Sequence, residues 1–497
     1  MTAEYFDVVI IGAGLSGIGA AHHLQKRCPG KRYLILEGRA AMGGTWDLFR
    51  FPGIRSDSDM HTLGYAFKPW RAAKAIADGP SILQYINETA TENGIDQHIR
   101  YQHLVRKADW SDADASWTID VERTDTGENT SMRCGFILMC AGYYSYKNGY
   151  TPEFEGWKRF RGDIVHPQAW PEDLDYRDKR MVVIGSGATA VTLVPELARD
   201  AAHVVMLQRS PTYMVSLPDI DVLASLLRKI LPEKIAYAIT RWKNIRLQRI
   251  VYSRSRSNPE MVKSKLLAMV RKEMGPGYDV ETHLTPRYDP WDQRLCVVPN
   301  SDFFQSVRSG DASIVTDQID TFTEQGLLLE SGKALEADII VTATGLNLVP
   351  LGAAEFSVDG QTVDIARTFS YLGMMYSDLP NLVSTFGYIN ASWTLRADLT
   401  AQFACRVLNH MDRSGYRQCT PRLPDEDRNM AARDWITAFS AGYVQRAMHL
   451  FPKQGDKAPW LNTQNYAEDR KLILKRQMDD GILSFTNPAT ELESDAA

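Results

Sequence analysis

Four hundred and ninety-seven residues exceed one ordinary core, and at about 150 residues per domain they predict two to four domains. The 56 Lys and Arg against 61 Asp and Glu give a formal charge of −5, which argues against a dedicated nucleic-acid binder. Hydrophobic residues at 44% and charged residues at 24% describe a chain that folds, not one that stays disordered.

The first residues, Met1-Thr2-Ala3-Glu4-Tyr5-Phe6-Asp7, carry acids where a secretory signal would carry cations and a long apolar stretch. With no run of about 18 apolar residues, no spanning membrane segment is predicted and a cytoplasmic setting is expected. Val8-Val9-Ile10-Ile11 then reads as a buried parallel strand, followed by the turn Gly12-Ala13-Gly14-Leu15-Ser16-Gly17 and a helix. In such a unit Gly12 makes the tight turn, Gly14 lets the backbone approach a pyrophosphate, and Gly17 lets the helix lie on the strand. The free N–H groups of the helix face the phosphates. A second strand, Tyr33-Leu34-Ile35-Leu36, ends at Glu37, 20 residues after Gly17, where an acid accepts hydrogen bonds from a ribose. The segment Gly43-Gly44-Thr45-Trp46 favours FAD over free NAD: its glycines would let the backbone pass close to a flavin and Trp46 would cover part of it, so Gly44, Thr45 and Trp46 join the candidate cofactor residues.

The same grammar returns at Met181-Val182-Val183-Ile184-Gly185-Ser186-Gly187-Ala188-Thr189-Ala190. Its next strand, Val204-Val205-Met206-Leu207, ends not in an acid but in Gln208-Arg209-Ser210. A cation and a hydroxyl suit the 2′-phosphate of NADPH, so Arg209 and Ser210 join the candidate cofactor residues. Two dinucleotide folds in one chain imply an electron donor and an electron acceptor, and hence an oxidoreductase. Residues 219–275 interrupt the α/β alternation with stretches of helical spacing rich in Arg and Lys. A small helical insertion with a solvated basic face is favoured there over a membrane-surface patch.

Between the two units lies Phe160-Arg161-Gly162-Asp163-Ile164-Val165-His166-Pro167-Gln168-Ala169-Trp170-Pro171. Its residues alone describe a loop before a strand. The spacing Phe-x-Gly-x-x-x-His-x-x-x-Trp-Pro, however, resembles the fingerprint of the type I Baeyer–Villiger monooxygenases, within the wider flavin-containing monooxygenase superfamily. The segment from Gly43 to Asp57, the Trp291-Asp292-Gln293-Arg294-Leu295 segment and Ala343-Thr344-Gly345 resemble further family motifs. Trp-Asp-Leu-Phe-Arg, Ile-Arg-Ser-Asp-Ser-Asp-Met and Asn-Ala-Ser-Trp-Thr-Leu are similar to the mycobacterial subgroup that activates ethionamide. One departure is Gln293, where many members have Lys, which bears on NADPH phosphate recognition.

The resemblance implies an α/β fold of two Rossmann-like domains, binding FAD and NADPH, with a helical insertion. Residues 1–145 and 346–497 would form the FAD-binding domain, 146–218 and 276–345 the NADPH-binding domain, and 219–275 the insertion. It implies a ketone or sulfide substrate, O2 as co-substrate, and ketone conversion to an ester or lactone through a C4a-peroxyflavin. Arg294 would stabilise the anions of that reaction, and Asp57 would orient Arg294. Phe160, Gly162, His166, Trp170 and Pro171 would shape the interdomain linker. Lys453 to Tyr466 resembles the loop that folds over the nicotinamide, with Trp460 either a lid residue or a packed aromatic.

Oxidation of sulfides or thioamides would be a second activity. The alternative is a flavin monooxygenase acting mainly on S or N atoms without ketone activity. A disulfide reductase shares the paired dinucleotide folds but needs two neighbouring cysteines, and Cys28 stands alone near the first helix. No cysteine spacing suggests a metal site.

Overall fold

The computed structural model describes residues 4–437 and 439–488. From the N-terminus come β1 (Tyr5–Ile11), α1 (Leu15–Arg27), β2 (Tyr33–Leu36), β3 (Ile99–Arg100), β4 (His103–Ser111), β5 (Ser116–Arg123) and β6 (Asn129–Met139). A second set follows: β7 (Asp163–Val165), β8 (Arg180–Ile184), α2 (Ala188–Leu197) and β9 (His203–Gln208). Three helices interrupt it, α3 (Val222–Ile230), α4 (Glu233–Ser257) and α5 (Pro259–Met274), before β10 (Ala312–Thr316) and β11 (Ile339–Thr342) complete it. The chain then adds β12 (Glu355–Val358), β13 (Gln361–Thr362), β14 (Leu382–Ser384) and the long α6 (Trp393–Ser414).

The first sheet runs β13-β12-β4-β5-β6-β1-β2-β3, with β14 also on β6. β6 is long enough to serve two purposes. Its first half pairs antiparallel with β5, and its second half pairs parallel with β14 from Ile137 to Met139. β1 lies parallel to both β6 and β2, so its Val8, Val9 and Ile10 are wholly buried. The apolar, β-branched sequence of β1 is what a strand covered on both faces requires. The helices α1 and α6 pack together over one face, closing a core around Ile18, Leu24, Leu399 and Phe403.

The second sheet, β10-β9-β8-β11-β7, is parallel throughout. Residues on both sides of the insertion build it, and residues on both sides of this sheet build the first. Both sheets bring the C-terminal ends of their central strands to glycine turns, the location where open parallel sheets bind ligands.

The stretches of helical spacing expected within 219–275 form as α3, α4 and α5. The basic solvent face expected there is corrected in one respect: Leu226, Ile230, Ile239 and Trp242 are also exposed. Among the described residues no helix is long and apolar enough to cross a membrane, and no group of His, Cys, Asp or Glu clusters as a metal site.

Candidate functional site

The two glycine turns open into one cavity of about 900 Å³. Gly12, Gly14, Gly44, Thr45, Trp46 and Asp57 line it from the first unit. Gly185, Ser186, Gly187, Ala188, Thr189, Arg209 and Ser210 line it from the second, with Gln293 and Arg294 between. The site residues predicted outside its lining are Gly17, Glu37 and the whole linker fingerprint.

Gly17 and Glu37 act one step back from the cavity. A Cβ on Gly17 would lie 1.9 Å from the Gly12 carbonyl oxygen, so the helix can meet the strand only because residue 17 has no side chain. Glu37 is 2% exposed, and its carboxylate accepts from the backbone N–H of Ala13 at 2.8 Å and of Arg39 at 2.9 Å. Burial raises its pKa, and those two N–H groups oppose the rise. The acid is thereby tied to the turn itself. Asp47, buried and unremarked in the sequence, pairs with Arg39 at 2.6 Å and Arg50 at 3.2 Å, and so fixes the Thr45–Leu48 helix beside the cavity.

The helices α1 and α2 both begin at a glycine with no side-chain cap, Gly14 and Gly187. Their first N–H groups are therefore free for an anion. The cradles differ in size. Gly14 and Gly44 pack against each other, whereas a Cβ on Gly187 would meet nothing within 4 Å. The strands behind end oppositely, β2 at the buried carboxylate of Glu37 and β9 at exposed Arg209. Ser186 Oγ donates to the Ser210 carbonyl at 2.9 Å, joining the second turn to that strand end. Two anion-receptive turns, one backed by an acid and one by a cation, fit FAD and NADPH as a donor set.

Arg294 lines the cavity among phenols. Burial opposes its charge, yet its pKa is raised overall, with Tyr443, Tyr143, Tyr144 and Asp57 as the ionisable groups around it. Burial in turn raises the pKa of Tyr143 and Tyr144 and pushes Tyr443 up to about 12, so all three remain protonated near neutrality. Tyr143 also stacks on Trp393, with ring centroids 5.2 Å apart, and Trp393 Nε1 donates to Ser16 Oγ at 2.7 Å.

Asp57, expected from the resemblance to orient Arg294, makes no ion pair with it. Both line the cavity, but among the described residues no carboxylate lies within 4 Å of the Arg294 guanidinium. Arg55 is instead paired with Asp302 at 2.7 Å. Burial raises the Asp57 pKa, and the charges of Arg55 and then Arg294 oppose it, so Asp57 sits within the field of two arginines without contacting Arg294. The segment carrying Arg294 is held by other means. Asp292 accepts an ion pair from Arg256 of α4 at 2.6 Å, and its carbonyl accepts from the Ser440 N–H at 2.7 Å. Trp291 adopts a φ of 74°, a strained conformation for a tryptophan, and its ring packs on Tyr252 of α4.

The fingerprint lies at the junction of the two sheets. Gln168 N–H donates to His166 Nδ1 at 3.1 Å, so that nitrogen is the acceptor and Nε2 carries the proton. Nε2 lies 3.1 Å from the Gly345 carbonyl oxygen, which it meets as donor. Burial lowers the His166 pKa, so the ring is neutral and fully partnered. Trp170 packs against Tyr176 beside the second core and does not reach the cavity. Phe160 packs in a cluster under the second sheet, and a Cβ on Gly162 would lie 2.2 Å from the Asp338 carbonyl oxygen. Pro171 is exposed.

Trp460 is 0% exposed, wedged against Phe369 and Tyr371, so of its two expected roles it takes that of a packed aromatic. No residue from Lys453 to Tyr466 lines the cavity. The C-terminal residues that do are Phe439, Ala441, Gly442, Tyr443 and Arg446.

Three kinds of comparison bear on the family and the fold. Residues 76–411 match the model of the flavin-binding monooxygenase-like family, and residues 10–78 that of an NAD(P)-binding Rossmann-like domain. The chain is 53% identical over 484 residues to the FAD-containing monooxygenase EthA of Mycolicibacterium smegmatis, covering 97% of each chain. It is 46% identical to the probable FAD-binding monooxygenase AlmA of Acinetobacter baylyi, covering 99% of this chain and 98% of that one. Its fold is similar to an oxidized steroid monooxygenase bound to NADP, with a TM-score of 0.78 at 22% identity, covering 97% of this chain and 100% of that one. It is likewise similar to an open crystal structure of cyclohexanone monooxygenase, with a TM-score of 0.74 at 20% identity and coverage of 97% and 100%.

Proposed function

The chain belongs to the flavin-binding monooxygenase-like family, and from that premise we propose that it binds FAD and NADPH and inserts one oxygen atom of O2 beside a ketone carbonyl, giving an ester or lactone. Oxidation of sulfides or thioamides is its second activity. The observation that carries the ketone reaction is Arg294, a cavity-lining cation with three phenols around it and no carboxylate within 4 Å among the described residues.

FAD, when bound, supplies electron transfer from NADPH and the activation of O2. The first glycine turn and the start of α1 hold its pyrophosphate, with Glu37 behind for a ribose. The second turn and the start of α2 hold the pyrophosphate of NADPH, and Arg209 with Ser210 receives its 2′-phosphate. Arg294 is the group for negative charge developing on the substrate oxygen. Its guanidinium is charged at every working pH and presents several donors in a plane. Since Tyr143, Tyr144 and Tyr443 stay protonated, they add hydroxyl donors without cancelling that charge. Asp57 limits the local positive charge from a distance. His166 bears no transferable proton at neutral pH and acts as a positioning residue at Gly345. The apolar and aromatic lining around Trp46 and Trp393 keeps water from the reacting atoms.

The test is a purified yellow protein supplied with NADPH, a ketone and 18O2. The expected product is an ester carrying one labelled atom, lost in Arg294→Ala while flavin is retained. Sulfoxide formation with no ester from any ketone would replace this proposal with a monooxygenase acting on S or N atoms. A protein that holds no flavin would overturn both.

A further inference from the structure

The helix α4 is built inside out. Its inward face is polar: Arg241 donates to the carbonyls of His61 at 2.9 Å, Thr62 at 3.0 Å and Gly64 at 2.7 Å. Asn244 and Gln248 donate to Asp59 at 2.8 and 3.0 Å, and Tyr237 donates to the Tyr65 carbonyl at 3.0 Å. A helix on a globular surface ordinarily turns its polar face to water and its apolar stripe inward. Here the outward face carries Ile235, Ile239 and Trp242, spaced by four and then three residues, and all exposed. The preceding helix α3 packs beside α4 and exposes Leu223, Leu226 and Ile230, again on one side of its own axis.

This is no scatter of single surface residues. Of the seventeen large apolar side chains exposed among the described residues, twelve fall between Leu217 and Val251. Concentration of that kind marks an interaction surface. Charge identifies the partner. From Lys234 to Ser257 the chain has seven Lys or Arg and no Asp or Glu. The one acid of α4, Glu233, is already paired with Arg71 at 2.7 Å. Arg246 lies over the Trp242 ring at 4.3 Å, and both Arg246 and Arg249 are exposed with no carboxylate within 4 Å among the described residues. An apolar stripe with an indole, continued along the helix by unpaired cations, is the composition of a helix lying in a lipid headgroup layer. A second copy of this chain docked through the same face would bring its cations against these cations.

We propose that α3 and α4 dock this enzyme on an anionic lipid bilayer, with Leu226, Ile230, Ile239 and Trp242 entering the interface and Arg246 and Arg249 meeting lipid phosphates. The partner is a lipid surface, and the protein does not span it.

The test is sedimentation of the full-length flavoprotein with vesicles of phosphatidylcholine, with and without phosphatidylglycerol. Binding is expected only where phosphatidylglycerol is present, and it should fall at about 1 M salt, where charges are screened beyond about 3 Å. The double variant Ile239→Asn, Trp242→Ser and the double variant Arg246→Gln, Arg249→Gln should each lose at least about tenfold in bound fraction, with NADPH oxidation in detergent-free buffer unchanged. If the apolar variant fails to fold, the arginine variant carries the comparison, because its side chains are exposed and unpaired. Protein that stays in the supernatant with anionic vesicles overturns the proposal, as do variants that bind like the wild type. A wild-type dimer that the apolar variant splits, without vesicle binding, overturns it in favour of a second copy.

Discussion

The Nε2 of His166 lies 3.1 Å from the carbonyl oxygen of Gly345, a bond that joins the linker fingerprint to the strand end leaving the second sheet. The contact is possible because Gly149 stands beside the ring: a Cβ there would lie 1.8 Å from His166 Cε1. Replacing His166 by Ala removes both ring hydrogen bonds and leaves the buried Gln168 N–H without its acceptor, while the Gly345 carbonyl keeps the Tyr150 N–H at 3.0 Å. The expected cost is about 1–3 kcal/mol of stability. Turnover should fall more than flavin content does, because the junction positions the two units. Thermal melting followed by flavin fluorescence, with steady-state rates on the same sample, checks both. His166→Gln, which keeps a donor, should recover part of the loss.

Arg294→Ala should retain flavin and NADPH oxidation but reduce ester formation by about 10²–10³, the usual cost of losing a donor to a developing oxyanion. Arg294→Lys keeps the charge but loses the planar fork, so its rate should fall between the two. Asp57→Asn is informative for a different reason. If Asp57 oriented Arg294 through contact, its loss would match that of Arg294→Ala. With no ion pair between them, the expected effect is smaller than tenfold. Product analysis by gas chromatography, with uncoupled NADPH oxidation measured alongside, separates these outcomes.

How much of this was legible in the sequence depends on how local each feature is. Gly12, Gly14, Gly185 and Gly187 are legible because strand, turn and helix follow within about 15 residues, so the motif carries its own context. Glu37 was readable from spacing, though not its tie to the Ala13 N–H. The phenols around Arg294 were not read. Tyr143 and Tyr144 did leave a signal, since they follow the C-terminal end of β6, where parallel sheets bind ligands. Tyr443 left none, because it arrives from the one-turn helix Gly442–Gln445, 149 residues beyond Arg294, and only tertiary folding brings it near. The two readings of Trp460 are not separable in the sequence, because its flanking Pro459 and polar residues resemble an exposed loop while Phe369 and Tyr371 bury it from elsewhere in the chain. Helical spacing found the insertion but not its inverted orientation, because periodicity locates an apolar stripe without saying which way it faces.

Stability should depend on pH through His22. Its ring stacks on Phe67 at 3.5 Å and bonds Asn93 at 3.1 Å, and burial, with His23 nearby, lowers its pKa to about 4 from an unfolded value near 6.5. Between those values the unfolded chain binds the proton and the folded chain does not. Stability is therefore full above about 6.5 and is lost as pH falls toward 4. His22→Leu should flatten the drop in melting temperature across that window while leaving the acid limb below it. A melting series in matched buffers checks this, and an unchanged slope would assign the loss to other groups.

Arg209→Ala should raise the KM for NADPH by about 10- to 100-fold, the range expected for one charge-assisted hydrogen bond to phosphate. The KM for NADH, which lacks the 2′-phosphate, should hardly move. An equal rise for both nucleotides would make Arg209 a general contributor to charge and not the discriminating residue.

The two glycine turns predict opposite outcomes for the same substitution. At Gly17 a methyl group would strike the Gly12 carbonyl at 1.9 Å, and neither backbone can yield without parting α1 from β1. Gly17→Ala should therefore give insoluble or colourless protein. At Gly187 the backbone is extended, with φ −77°, and a methyl group meets no protein atom within 4 Å. Gly187→Ala should melt within about 1 kcal/mol of the wild type and keep its flavin. The space its methyl enters is the space beside the uncapped N–H groups of α2, where a pyrophosphate needs close approach. NADPH binding should therefore weaken at least about tenfold, read as a raised KM with flavin content unchanged. Tight NADPH binding by a stable Gly187→Ala would mean that the nucleotide does not rest on this turn.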